Sequence, residues 1–315
     1  MKGRLAWSRK ILGAGGVAAS LAVAPVSAQT TAPPAVPPKP APYSLPWLLR
    51  PAVPVSVIRL DETTAFYQDP ASGTSGNTYV TSLIATWKAS PTWVPIFRQI
   101  WVSNDAPSGG KDASGSGFSN PLLGVNYLRP FGRGCRFSGF FASTIPIGSG
   151  GGDNPDAGAA ASMTAGISAR SAMDNALFAV DYWTVIGGLG LARITPAATL
   201  QAEVTVLQLT RARGPETADK YRTNLTAGLH AGHFFSPKFT LGAEIRMQRW
   251  MTDAAPVRND PAAREQFTAG VGPRFHFQVG GKHWLRPGLS YTRALDDAMA
   301  KKGYDIVQID VPFAF

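Results

Sequence analysis

The sequence has little of three features that often reveal a protein's chemistry: cysteine, histidine and long apolar runs. Its one cysteine, Cys135, cannot form an intramolecular disulfide, which excludes a scaffold stapled by disulfides. Four histidines leave few candidates for a metal site or an acid–base centre. Of the 315 residues 44% are hydrophobic, yet only one run approaches the roughly 20 apolar residues of a transmembrane helix. The sequence therefore argues against a helical membrane protein.

That one apolar run lies at the N-terminus and has the features of a secretory signal peptide. Residues 1–10 carry four basic and no acidic side chains, and residues 11–23 are small and apolar. Val26-Ser27-Ala28 fits a small-x-small cleavage site. The run is short and interrupted by glycines, which disfavours a membrane anchor. We therefore predict export, with residues 1–28 as a cleaved signal peptide.

The formal net charge of +10 is lower in the exported chain, because the signal takes four basic residues with it. A basic balance often indicates nucleic-acid binding. Export argues against a nucleic-acid partner, so the basic surplus needs another explanation.

Residues 29–54 form a proline- and alanine-rich segment with nine prolines. Such a composition favours extended polyproline conformation and does not build a core. We predict a periplasmic linker. The apolar stretch Leu45-Pro46-Trp47-Leu48-Leu49 within it is compatible with docking on the rim of the following domain or with plugging its interior.

From residue 55 onward, apolar and polar residues alternate, which is typical of β-strands because successive side chains face opposite sides. Between residues 239 and 248, for example, Leu241, Ala243 and Ile245 alternate with Glu244 and Arg246. A soluble β-sandwich would also alternate. The predicted strands are longer, however, than the usual five or six residues, and aromatic residues gather near their ends.

Twelve such strands are predicted, at residues 55–67, 77–88, 92–102, 118–128, 135–147, 178–193, 197–210, 221–234, 238–250, 265–279, 282–293 and 304–315. Short and long connections alternate between them, and an even number of strands returns both termini to one side. This is typical of an all-β, antiparallel transmembrane barrel with short periplasmic turns and long extracellular loops. We therefore predict that residues 55–315 form a barrel in the bacterial outer membrane, with outer-membrane lipid as its surroundings.

The last strand resembles the terminal strand by which bacterial outer-membrane proteins are recognised for assembly. Its apolar residues alternate up to the final phenylalanine: Val307, Ile309, Val311, Phe313 and Phe315. The resemblance implies the barrel-assembly machinery as a partner.

In the second half of the sequence, charged and polar residues lie on the same strand face as small residues. We assign this face to the lumen. Charges that faced lipid would be costly near the membrane midplane. The assigned residues are Glu203, Arg222, His230, Glu244, Arg246, Arg274, His276, Arg286 and Asp310. They either form ion-pair ladders that fill the barrel or provide a basic passage that favours anions. Both can hold together, since twelve strands enclose more space than side chains must fill.

The third long connection, 148–177, contains an alanine-rich stretch that predicts a short helix. It either folds inward as a constriction, as in porins, or caps the barrel outside.

The sequence gives little support for catalysis, a cofactor or a metal. His230 and His233 are three residues apart on a strand, so they face opposite sides and cannot share an ion without a bulge. A lipid hydrolase would need a Ser–His pair at the outer, lipid-facing edge. Our register places His230 and His276 in the lumen and His233 and His283 near periplasmic turns.

Residues 117–122, Gly-Phe-Ser-Asn-Pro-Leu, resemble the Gly-x-Gly-Asp-Pro stretch of the outer-membrane transporter family associated with the meta-pathway of phenol degradation. Ser119 replaces the glycine and Asn120 replaces the acid. The signal peptide, the strand number and the final phenylalanine are similar as well. The resemblance implies passive uptake of small, often aromatic compounds. The alternatives are an outer-membrane enzyme acting on lipid and a structural barrel with a blocked lumen.

Overall fold

A computed structural model describes residues 43–68, 73–106, 114–132 and 134–315. Within these ranges the chain forms fifteen strands of one sheet and a few short helices. The strands are β1 (Val57–Gln68), β2 (Ser75–Thr86), β3 (Trp93–Asp105), β4 (Gly115–Phe118), β5 (Leu122–Phe131), β6 (Cys135–Thr144), β7 (Tyr182–Ile194), β8 (Ala198–Arg211), β9 (Tyr221–Ser236), β10 (Phe239–Trp250), β11 (Glu265–Phe275), β12 (Phe277–Val279), β13 (His283–Leu285), β14 (Gly288–Ala294) and β15 (Asp305–Ala314). The α-helices are α1 (Ala157–Ala169), α2 (Asn175–Phe178), α3 (Ala255–Asn259) and α4 (Asp297–Ala300), and Pro261–Arg264 is a 3-10 turn.

The sheet closes on itself as an antiparallel barrel. β1 pairs with β15 from Val57 opposite Ala314 to Phe66 opposite Asp305, so neither strand is a free edge. Three of the barrel's strands are interrupted: β4 and β5 both pair with β3, β11 continues into β12, and β13 continues into β14. Counting each interrupted strand once, the barrel has twelve strands. The predicted fold class and strand number are confirmed.

The two faces of the sheet follow the alternation of the sequence. In β10, Leu241 and Ile245 are 41% and 51% exposed on the outside, whereas Glu244 and Arg246 are buried inside. A continuous exposed belt of leucine, isoleucine, valine and phenylalanine would be a liability in water and is the expected lipid-facing surface of a barrel. Within the described residues, none of the helices is long and apolar enough to span a bilayer.

Short connections all lie at one end of the barrel and long connections at the other. The short ones are 87–92, 132–134, 195–197, 237–238 and 280–282. Gly280 and Gly281 both have positive φ, 56° and 78°, which suits a tight hairpin turn that most residues would strain. The start of β1 and the end of β15 lie at this short-turn end.

The C-terminal strand carries its apolar pattern on the outer face. Val307, Ile309, Val311, Phe313 and Phe315 are partly or fully exposed, and the residues between them are buried inside. Their role in assembly stays a prediction.

Two segments fold into the barrel. Residues 43–54, which we call the inner segment, lie inside the lumen, with Tyr43, Trp47 and Leu49 at most 2% exposed. The linker prediction can therefore apply only to residues 29–42, which lie outside the described residues together with the predicted signal peptide. Of the two placements considered for residues 45–49, the structure shows the plug.

The second inward segment is the third long connection, residues 145–181, which we call the inner loop. Its helix α1 packs against β1 to β4, and Met163, Leu177 and Phe178 join the apolar core with Ile100 and other inward residues. Of the two placements predicted for this loop, the structure shows the inward one. The predicted strand start at residue 178 is wrong, because Phe178 ends α2 and is buried in this core.

Candidate functional site in the barrel lumen

The inner segment is held by a carboxylate on the barrel wall. Glu244 on β10 accepts hydrogen bonds from the backbone amides of Trp47 (2.5 Å) and Leu48 (3.2 Å). Its second oxygen also pairs with Arg246 at 2.8 Å. Four strands further around the wall, Arg59 of β1 donates to the carbonyls of Pro46 and Trp47. Buried backbone groups need such partners, so side chains of the wall replace the hydrogen bonds that this irregular segment cannot make itself.

A second set of contacts holds the two ends of the inner segment on β8. Glu203 accepts from the backbone amide of Arg50 (3.0 Å) and pairs with its guanidinium (3.1 Å). That guanidinium lies over the ring of Phe140, 4.1 Å from its centre, a cation–π contact. At the other end, Tyr43 donates from its hydroxyl to Gln201 at 2.9 Å.

Inward-facing glycines make room for the inner segment. A Cβ atom on Gly242 would lie 2.8 Å from the Trp47 ring, and one on Gly228 would lie 2.7 Å from Leu49. Contacts this close require a shift of the segment. The small residues that alternate with polar ones on β9 and β10 thus provide the space in which the segment sits.

Ion pairs connect the inner loop to the wall in one continuous series, which we call the ionic ladder. It contains four arginines and three aspartates. The pairs are Arg98–Asp174 (2.5 Å), Arg170–Asp174 (3.0 Å), Arg170–Asp61 (2.8 Å), Arg59–Asp61 (3.2 Å), Arg59–Asp310 (2.9 Å) and Arg274–Asp310 (2.9 Å). Because Arg59 also binds the inner segment, the ladder links both inward segments through the wall.

The ladder enters the inner loop at the turn between α1 and α2. Ser171 and Ala172 have positive φ, 54° and 53°, a strained conformation for residues with side chains. Arg170 beside them is 1% exposed and is held by Asp61 and Thr63. Burial alone would raise the pKa of the Asp174 carboxyl, but the guanidiniums of Arg98 and Arg170 outweigh it and lower that pKa.

A cavity of about 60 Å³ remains between the inner segment, the inner loop and the wall. One side is ionic, formed by Arg50 with Glu203 and by Arg98 with Asp174. The other side is apolar; it includes Leu48, Ile96, Leu122, Phe140, Met173, Leu177, Ile186 and Leu207. At this size the cavity holds a few water molecules, and it would have to widen to accept a group with both an apolar and a polar part.

Seven of the lumen residues predicted from the sequence have the inward parity of their strands, and the other two, His276 and Arg286, lie in the breaks between β11 and β12 and between β13 and β14. Glu244 and Arg246 form one cluster with His230, and Arg274 meets Asp310 in the ladder. Arg222 stands apart near the long loops, where it pairs with Asp219 at 3.1 Å and lies over the ring of Tyr182. Whether any of them contacts a solute stays a prediction.

Two further predicted residues lie near the short-turn end. Arg286 donates to the carbonyl of Tyr43 at 3.3 Å, where the inner segment begins. The ring of His276 hydrogen-bonds with the Thr240 hydroxyl at 2.9 Å and stacks on Phe234.

Six ionic residues of the lumen were missed by the sequence analysis: Arg50, Arg59, Asp61, Arg98, Arg170 and Asp174. Arg59 and Asp61 share inward parity with Thr63 on β1, so the alternation alone would have identified them. Arg98 lies between the inward apolar residues Ile96 and Ile100. Arg50, Arg170 and Asp174 belong to irregular segments, for which no strand pattern predicts a direction.

His230 is flanked by Ser44 and Glu244 in an order that resembles a serine–histidine–carboxylate triad. The Ser44 hydroxyl is 3.2 Å from Nε2 of His230, and Nδ1 is 3.4 Å from Glu244. Ser44 and His230 are each 2% exposed, and Glu244 also holds two backbone amides and Arg246. These contacts stabilise the inner segment. His233 lies on the outer face, as predicted.

The described residues contain no group of three or more histidine, cysteine or acidic side chains placed to bind a metal ion.

The closed sheet, its apolar outer belt and its ionic interior define an outer-membrane β-barrel whose lumen is occupied by two segments of its own chain. The chain belongs to the family described as "Putative MetA-pathway of phenol degradation", whose profile matches residues 71–285. The suspected family is confirmed. A comparison with curated protein sequences found no match.

The chain is similar to solved structures, the first of which supports the fold. An outer-membrane channel from Pseudomonas putida F1 is 12% identical, with a TM-score of 0.56, and the match covers 85% of this chain and 98% of that one. The NanC porin is 8% identical with a TM-score of 0.47, covering 81% and 98%. The KdgM porin in complex with oligogalacturonate is 10% identical with a TM-score of 0.45, covering 82% and 99%. At these identities the likeness concerns the fold alone.

Proposed function

We propose that this protein is a passive outer-membrane channel for small amphiphilic molecules, aromatic acids and alcohols among them. In this proposal the inner segment and the inner loop narrow the passage. The observation that carries the proposal is the cavity between these two segments, because it lies in the lumen and has one ionic and one apolar side.

The way the two segments are held supports a channel rather than a solid plug. The inner segment contacts the wall through hydrogen bonds and ion pairs at Glu203, Glu244 and Arg59. These directional contacts can be exchanged one by one for water or solute. The apolar part of the segment, Tyr43 and Leu45, packs in a small cluster with Ala52 and Ala192 that must also separate when the segment moves. A barrel of twelve strands is also wide enough to pass a small solute once the segment moves.

The solute class follows from the two sides of the cavity. Phe140 and its aliphatic neighbours suit a ring or short chain, and Arg50 and Arg98 suit a hydroxyl or carboxylate. The family description, which refers to phenol degradation, agrees with this class. The ladder has one arginine more than it has aspartates, and we expect only a weak preference for anions, because most lumen arginines are paired.

Conductance across planar bilayers tests the proposal with the purified full-length protein. We expect small, anion-preferring currents, which benzoate reduces as it enters the lumen. Removal of residues 43–54 should increase the conductance several-fold. Trp101→Ala is the matched control, because Trp101 is an outward-facing aromatic residue on β3 and should leave the currents unchanged.

The two alternatives predict different results. A structural barrel whose lumen is permanently blocked by residues 43–54 would conduct only after these residues are removed. A silent unmodified protein would therefore contradict the channel. An enzyme acting on lipid would hydrolyse phospholipid in liposomes and lose this activity in Ser44→Ala. We expect the phospholipid to stay intact.

A further inference from the structure

The outer face of the barrel contains a long apolar groove that the channel function does not use. It consists of two adjoining depressions of about 580 and 500 Å³ across the outer face of β6 to β10, which share Leu191, Ala202, Leu229 and Ile245. The groove lies on the outer face of the sheet and the proposed channel lies in the lumen, so this inference does not depend on the channel.

Small side chains form the floor of the groove and large ones form its walls. Ala202, Ala227, Ala231 and Ala243 all have outward parity, and Ala231 and Ala243 lie opposite each other on β9 and β10. Leu191 and Leu229 lie on either side of Ala202 in the neighbouring strands. The resulting furrow is lined mostly by apolar side chains and open to the outside, which suits a hydrocarbon chain.

One end of the groove is basic. Arg193 lines it, and its register partner on β6 is Cys135. Arg129 lies on β5, one strand beyond β6 and opposite Phe137, outside the groove lining; both arginines are exposed on the outer face. Glu203 also borders the groove, but its carboxylate turns into the lumen and pairs with Arg50.

We infer that this groove binds an anionic glycerophospholipid, with an acyl chain along the alanine floor and the phosphate at Arg129 and Arg193. Both arginines lie within a few residues of short turns, at 132–134 and 195–197. Short turns of such barrels face the periplasm, so the basic end lies at the phosphate level of the periplasmic leaflet. Guanidinium groups bind phosphate oxygens through paired hydrogen bonds.

Native mass spectrometry of the detergent-purified, full-length protein titrated with phosphatidylglycerol tests the inference. The double variant Arg129→Ala/Arg193→Ala should weaken binding about tenfold or more, because it removes both basic groups near the phosphate level of the groove. Lys88→Ala/Lys282→Ala is the matched control, because it removes two exposed basic residues at the same end but away from the groove. The control should bind as the unmodified protein does.

A second variant tests the acyl-chain part of the site. Ala231→Leu/Ala243→Leu fills the floor at positions that face lipid, and the gel shift of the folded barrel on heating checks that it still folds. We expect this variant to lose bound phosphatidylglycerol although both arginines remain. Unchanged binding in either groove variant would overturn the inference. So would a dimer of the chain that buries this face in detergent solution.

Discussion

At the scale of single residues, Glu244 contacts more groups than any other polar side chain of β10. It neutralises Arg246, accepts two backbone hydrogen bonds from the inner segment and lies beside His230. Its side chain is fully buried, so each of these contacts takes the place of water. A single carboxylate therefore fixes both the charge balance and the position of the inner segment at this height of the barrel.

We expect Glu244→Gln to lower the free energy of unfolding by about 3–5 kcal/mol, because it leaves Arg246 as an uncompensated buried charge. Urea unfolding of the refolded protein, followed by tryptophan fluorescence, measures this change. Glu265→Gln is the matched control: Glu265 pairs with Arg249 at the surface, and such pairs contribute at most about 1 kcal/mol. Equal unfolding midpoints for the two variants would contradict the role of Glu244.

At the scale of elements, the inner loop depends on the segment that carries the family resemblance. Asn120 lies between β4 and β5 and connects both ends of this loop. Its amide group donates to the carbonyls of Ala179 (2.9 Å) and Tyr182 (3.2 Å) and accepts from the backbone amide of Gly148 (2.9 Å). An asparagine can do all three, whereas an ionised aspartate at this position cannot donate. Asn120, which replaces the aspartate of the family motif, can therefore make all three hydrogen bonds that attach this loop.

We therefore expect Asn120→Asp to loosen the inner loop. The variant leaves carbonyls without their donor at a cost of about 1–3 kcal/mol. Hydrogen exchange at residues 148–181 should become faster, while exchange in β8 to β10 stays the same. Asn154→Asp, an exposed change in the same loop, is the control. Slow exchange in Asn120→Asp would show that the apolar packing of α1 and α2 holds the loop without Asn120.

At the scale of the whole molecule, the asymmetry between the two ends of the barrel predicts its orientation in the membrane. Long connections and the attachment of the inner loop lie at one end, and the short turns and both ends of the barrel chain lie at the other. Short turns on the periplasmic side are the rule for such barrels.

Cysteine labelling in intact cells checks this orientation. In a Cys135→Ser background, Glu216→Cys in a long loop should react with a membrane-impermeant maleimide. Lys88→Cys in a short turn should react only after the outer membrane is permeabilised. Both residues are exposed, so accessibility on the protein itself does not distinguish them. The reverse labelling pattern would invert the proposed topology.

The alternation of the sequence by itself determined the barrel. In a membrane barrel each strand side chain points either toward lipid or toward the lumen. The polarity of residues such as Ile245 and Arg246 is therefore enough to predict which way they point. The same parity placed Glu203, Glu244, Arg274 and Asp310 inside the lumen. It would have placed Arg59 and Asp61 there as well.

Only the tertiary structure decided what fills the lumen. Tyr43, Trp47 and Arg170 belong to segments without a repeating pattern, and a proline-rich tract is extended whether it crosses the periplasm or the inside of a barrel. Their positions depend on partners far away in the sequence, such as Glu244 for Trp47 and Asp61 for Arg170. A local pattern shows the polarity of each residue. It does not show which distant side chain will form its hydrogen bond or ion pair.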